Sequence, residues 1–227
     1  MDALGKRQNK VITFEPRFQS AVPRLLVLGA HADDIEIGCG GTLVTFLLRY
    51  PDAIVSWVVF SGSGERQAEA RRSAELYTAS MTGADIRFES FRDGRFPFDA
   101  QHIKELFDTQ LQPFQPDIIF THSGTDRHQD HRVVSELTWQ TFRNHTVLEY
   151  EIPKYDGDFG QPNVFATLEA EVIDKKVDRL MQCFTSQASK HWFTPETFRG
   201  LARLRGVECA AESGYAEAFY VRKIRVC

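Results

Sequence analysis

With 227 residues, 42% of them apolar and 26% charged, the chain has the profile of a soluble globular protein with a sizeable core. Its net charge of −4 gives no general attraction for nucleic acid or anionic membrane. No run approaches the ~18 apolar residues that a membrane span needs.

The opening Met1 to Lys10 is charged and has no apolar core behind it, so export is not expected and a cytoplasmic location is. Cys39, Cys183, Cys209 and Cys227 are scattered, without a C-x-x-C pair, and read as free thiols in a reducing compartment. Residues 1–23 read as a tail followed by an edge segment around Val11 to Phe14. From Arg24 the strand and helix signals alternate. Leu25 to Gly29 predicts a strand buried on both faces, and Thr42 to Arg49 a helix ended by Pro51. Ile54 to Phe60 predicts a second interior strand, Arg66 to Met81 an amphipathic helix stopping near Gly83, and Ile86 to Phe91 a third strand.

Arg92 to Phe98 then reads as an aromatic loop, Gln101 to Leu111 as a helix, and Pro116 to Thr121 as a buried strand like the first. A helix over Arg132 to Phe142 follows, then strands at Val147 to Ile152 and Val164 to Leu168. Glu171 to Cys183 and Pro195 to Arg205 predict helices, and Ala218 to Val226 alternates like a final edge strand. No repeat or linker interrupts the pattern. The expected fold class is α/β, a single-domain Rossmann-like three-layer sandwich with a mostly parallel central sheet, spanning residues 24–227.

Two loops carry chemistry. The first follows the first strand and holds His31, Asp33, Asp34 and Glu36 before Gly38, Gly40 and Gly41. A glycine turn between strand and helix suits pyrophosphate, but three carboxylates would repel that anion, and a cation suits them better. A purely structural role, with Asp33 and Asp34 capping the helix and His31 bonded within the loop, stands beside this reading. The second loop, after the Pro116 strand, holds His122, Asp126, His128, Asp130 and His131. If the two strands are parallel neighbours, both loops open on one rim, and residues about a hundred positions apart can meet there.

His31-Ala32-Asp33-Asp34 taken with Asp126-x-His128-Gln129-Asp130-His131 and Gly38-x-Gly40-Gly41-Thr42-Leu43 resembles the LmbE-like or PIG-L family of zinc-dependent N-deacetylases. Arg72-x-x-Glu75, Ser186-Gln187 and Ala216-Glu217-Ala218-Phe219 extend the resemblance over most of residues 24–220. Ala32 and Gln129 stand where that family usually or often has proline, so both loops lack the fixed φ that proline gives.

The resemblance implies one zinc ion per chain bound by His31, Asp34 and His131, with Asp33 as general base. It implies His128 as the second acid–base or oxyanion group, protonated as charge gathers, with Asp130 hydrogen-bonded to it and holding its tautomer. The implied reaction is removal of an acyl group, an acetyl above all, from an N-acyl amino sugar or related small conjugate. Arg72, Arg92 and Glu217 are candidates for substrate binding, with Arg95, Phe96 and Phe98 at the mouth, although Arg72 suits structural pairing better. Asp126 reads as support for a ligand, His122 as a neighbour of the rim, and His102, His145 and His191 as surface or core residues. A metallohydrolase acting on another bond and a non-catalytic Rossmann-type nucleotide- or sugar-binding protein are the competing readings. Association into a homo-oligomer is left open.

Overall fold

The computed structural model describes residues 11–81 and 83–225. In chain order they form β1 (Arg24–Gly29), α1 (Asp34–Arg49), β2 (Ile54–Val59), α2 (Gly64–Thr78), β3 (Gly83–Phe88), α3 (Phe96–Leu106) and β4 (Ile118–His122). There follow α4 (Gln129–Thr141), β5 (Thr146–Tyr150), β6 (Val164–Leu168), α5 (Ala170–Cys183), α6 (Pro195–Glu208) and β7 (Tyr215–Tyr220).

The seven strands make one sheet in the order β3-β2-β1-β4-β5-β7-β6. The first five run parallel, and β7 is antiparallel to both of its neighbours. β1 lies at the middle, Val27 facing Trp57 on one side and Phe120 on the other. Leu25, Leu26, Val27 and Leu28 are fully buried, as a strand covered on both faces requires.

Period-two alternation sends Leu25 and Val27 to one face, where they pack with apolar residues of α1, α2, α5 and α6. Leu26 and Leu28 face the other way, onto Phe96 and Ile103 of α3 and Val134 and Leu137 of α4. Helices on both sides of a mostly parallel sheet give the expected three layers. Among the described residues no helix is long and apolar enough to cross a membrane.

Three sequence readings change. Helix α1 begins at Asp34 rather than Thr42, so Gly38, Gly40 and Gly41 lie inside the helix. They are there for close approach: a Cβ on Gly38 would stand 2.2 Å from the Tyr150 ring, and one on Gly41 2.6 Å from Leu168. The last strand is not an edge. β7 sits between β5 and β6, and the alternation that suggested an edge stops at Tyr220, with residues 222–225 exposed beyond it. Val11 to Phe14 forms no strand and is exposed. Cys39, Cys183 and Cys209 are buried free thiols, while Cys227 lies outside the described residues.

Candidate metal centre

Because β1 and β4 are parallel neighbours, the loops after them leave on the same rim of the sheet. The Ala30 amide donates to His122 Nε2 at 2.9 Å, tying the two exits together. The loop before α1 and the first turn of α4 then bring His31 and His131 together, with His31 Nδ1 3.1 Å from His131 Nε2. Asp34 Oδ2 stands 3.4 Å from His31 Nδ1 and 3.6 Å from His131 Nε2. Four-coordinate zinc with bonds of about 2.0–2.1 Å holds its ligand atoms about 3.3 Å apart, so this triangle has the dimensions of one face of such a site.

The outer contacts favour one tautomer for each ring. His131 Nδ1 faces Asp126 Oδ2 at 2.9 Å, and His31 Nε2 faces Asp130 Oδ2 at 3.2 Å and Asp93 Oδ1 at 3.0 Å. Carboxylates there take the ring N–H of each neutral imidazole, leaving His31 Nδ1 and His131 Nε2 bare. Two ring lone pairs and a carboxylate oxygen thus converge on one point. They repel one another unless a positive charge lies between them, either a metal ion or, without one, the proton that His31 then holds on Nδ1.

The titration behaviour agrees with that crowding. Burial disfavours charge on His31, but the carboxylates of Asp34, Asp130 and Asp93 outweigh it and lift its pKa well above the usual histidine range. Burial, helped by His122, pushes His131 down to about 4. Burial works against the charge on Asp34 as well, yet His131, His122 and His31 hold its pKa well below the usual carboxylate range.

Asp33 is buried beside the triangle. Its Oδ1 accepts from Arg66 Nη2 at 2.8 Å, and its Oδ2 has no hydrogen-bond partner. Burial raises the Asp33 pKa against the pull of Arg66. Arg66 escaped the sequence reading. The available signal was its place: it sits in the first turn of α2, just past the end of β2, and so on the same rim.

His128 caps α4, its Nδ1 accepting the Asp130 amide at 3.3 Å, and its ring lies against those of His31 and His131. The expected bond from the Asp130 carboxylate to His128 is corrected here. Asp130 opens α4 beside the turn before α3, so its carboxylate accepts the Gly94 amide at 2.6 Å and the Phe96 amide at 3.1 Å and reaches His31 instead. Asp93, on that same turn, was also missed. Asp93 lies between Arg92 and Arg95, in a loop whose sequence signal is its cations and aromatics.

The substrate-binding candidates fare differently. Glu217 is corrected, for it is buried and fully engaged: it accepts the Gly41 and Thr42 amides at 2.8 and 2.7 Å and pairs with Lys176 at 2.6 Å. Insertion of β7 into the sheet turns this side chain under α1, away from solvent. Arg72 is also corrected. It lies two turns past Arg66 and donates to the Cys183 carbonyl at 2.9 Å, closing the end of α5. Arg92 and Arg95 are exposed, Phe98 points into solvent, and Phe96 is in the core. Asp126 supports His131 as expected, and His122 is fully buried within the cluster. His102, His145 and His191 do not join it.

Residues 26–142 match the family model described as PIG-L: GlcNAc-PI de-N-acetylase. The chain belongs to the PIG-L family. A relative from Escherichia coli K12, YaiS, described as an uncharacterized deacetylase, is 28% identical over 166 residues, covering 69% of this chain and 88% of its own. The N,N'-diacetylchitobiose deacetylase of Pyrococcus horikoshii superposes with a TM-score of 0.68 at 18% identity, covering 88% of this chain and 84% of its own. GalB, the 4-carboxy-2-hydroxymuconate hydratase of Pseudomonas putida KT2440, gives 0.66 at 19% identity over 91% and 98%. A hydratase on the same fold means that the reaction must be argued from the site. Deacetylation is the activity that PIG-L membership supports, deacetylases of this family depend on a metal, and His31, His128 and His131, or Asp34, His122 and His131, lie close enough to hold one.

Proposed function

We propose that this protein is a zinc-dependent hydrolase that removes an acetyl group from an N-acetylated small molecule, an amino sugar or a related conjugate, with one ion per chain. The observation that carries this reading is the convergence of His31 Nδ1, His131 Nε2 and Asp34 Oδ2, 3.1 to 3.6 Å apart, with the far side of each ring held by a carboxylate. An ion held there supplies Lewis acidity, polarising an amide carbonyl and lowering the pKa of water toward ~7.

The chain's own groups supply the proton handling. Asp33 Oδ2, unpaired beside the site, takes the proton of the attacking water, while Arg66 grips Oδ1 and fixes the orientation of the carboxylate. His128 Nδ1 is occupied as acceptor of a backbone N–H, so the neutral ring carries its proton on Nε2 and hydrogen-bonds the carbonyl oxygen as negative charge gathers there, while the proton that Asp33 took from the water passes to the leaving nitrogen. Asp126 and Asp130 hold the tautomers of His131 and His31. Three buried free thiols support a reducing, cytoplasmic location.

The test is acetate release from N-acetylglucosamine, N,N'-diacetylchitobiose and N-acetylated glycopeptides, with zinc and with chelator. Acetate is expected from at least one of them, abolished by chelator and restored by zinc. Asp33→Asn is expected to keep its zinc and lose at least about 10²-fold in kcat, the scale of one acid–base group. Release that continues in full after the metal has been removed would overturn the proposal.

A further inference from the structure

On the outer face of α4, a groove of about 480 Å³ runs between that helix and the segment following β7. Its wall follows the helical repeat: Arg132, Ser135, Glu136 and Trp139 recur on one side, Arg143 extends it from the turn after the helix, and Arg222 closes the groove opposite. None of these residues takes part in the metal centre.

The charges in the groove are not balanced. Arg222 lies 2.9 Å from Glu149 and stacks over the Trp139 ring at 4.2 Å. Glu149 is fully used, since it also accepts from the Gly124 amide and the Trp139 indole. Arg132 bonds only backbone carbonyls, those of Asp126 at 3.2 Å and Arg127 at 2.5 Å, and Arg143 donates to the Gln140 carbonyl at 3.1 Å. Neither has a carboxylate partner among the described residues, and both are exposed.

Lys223 adds a further cation near Trp139, whereas the one carboxylate on the groove wall, Glu136, accepts from Gln140. A chain of net charge −4 thus concentrates positive charge here. The Ser135 hydroxyl, fully buried among the lining residues, has no hydrogen-bond partner. A buried polar atom without a partner is costly, and a ligand oxygen would satisfy it.

We propose that this groove is a binding site for a phosphate-bearing small molecule, separate from the metal centre. Two guanidiniums without counter-ions present forks that match phosphate oxygens, and the Ser135 hydroxyl offers a further donor. The volume lies within the range of about 300–1,000 Å³ typical of small-molecule pockets. The site does not depend on the hydrolase reading.

Isothermal titration of the full chain with inorganic phosphate, in wild type, Arg143→Ala and Ser135→Ala, tests it. Binding is expected in wild type, weakened at least about tenfold in Arg143→Ala, weakened in Ser135→Ala, and unchanged when chelator strips the metal centre. Arg143→Ala is expected to keep the wild-type thermal midpoint and deacetylase rate. Wild-type affinity in Arg143→Ala, binding lost on chelation, or absence of binding overturns the proposal, the second by moving the anion to the metal. Sedimentation with phosphatidylserine vesicles without any heat from phosphate also overturns it, in favour of a membrane surface.

Discussion

Asp130 decides how His31 is held. Its carboxylate is fixed by the Gly94 and Phe96 amides, and it fixes His31 Nε2 in turn, so the lone pair on Nδ1 points at Asp34 and His131. Asp130→Asn replaces that charged acceptor with a weaker, neutral one. Zinc affinity, followed by competition with a chromophoric chelator, is expected to fall by about 10- to 100-fold, the usual cost of losing a support of this kind. Unchanged affinity would mean that His31 needs no such support.

Glu36 is the other residue whose behaviour follows from its surroundings. It is fully buried, and burial, against the pull of the nearby Ser73 hydroxyl, raises its pKa from 4.5 to about 8. Between those two values the unfolded chain releases a proton that the folded chain keeps, so this group lowers folding stability as pH rises through the window. Below pH 4.5 both states are protonated and the effect vanishes. In chelated protein, Glu36→Gln is expected to raise Tm at pH 7.5 and to change it less at pH 5. An equal shift at both values would show that ionisation of Glu36 is not the cause.

At the scale of elements, the seating of α1 governs the site, because that helix carries Asp34 in its first turn and rests directly on β5 and β6. Gly38 leaves no room for a side chain over the Tyr150 ring, and the Tyr150 hydroxyl is itself tied to the Leu28 carbonyl at 2.5 Å. Gly38→Ala must therefore push α1 away from the sheet. Overpacking of this kind costs about 1–3 kcal/mol, and a lower denaturation midpoint together with weaker zinc binding is expected. The buried Lys176–Glu217 pair seats the same helix from below: Lys176 donates to the Ile37 carbonyl, and Glu217 accepts from the Gly41 and Thr42 amides. The Ala-Glu-Ala-Phe segment thus serves α1 rather than substrate.

For the whole molecule, an ion held as proposed would join loops from two strands whose histidines are 100 positions apart. A ligand that binds only the folded chain adds RT ln(1 + [L]/Kd) to its stability, about 2.7 kcal/mol at a hundredfold excess over Kd. Scanning calorimetry is expected to show a Tm that falls on chelation and returns with zinc. A Tm indifferent to metal would count against a shared centre.

The layered architecture and the pairing of two loops were legible in the chain because they rest on local patterns: aliphatic runs buried on both faces, helix signals between them, and imidazoles with carboxylates at strand exits. The strands predicted at Leu25 and Pro116 are neighbours, and the triangle of His31, Asp34 and His131 forms where their loops meet. Side-chain partners were another matter. Whether Asp130 faces His128 or His31, whether Arg66 or Arg72 reaches the rim, and whether Glu217 faces solvent or α1 depend on groups up to 176 positions away. Spacing along the chain carries no record of such contacts, since they are set by how helices lie on the sheet. Sequence alone therefore determined which chemistry the rim carries, while tertiary packing decided which atoms hold it in place and which charged groups were left facing outward.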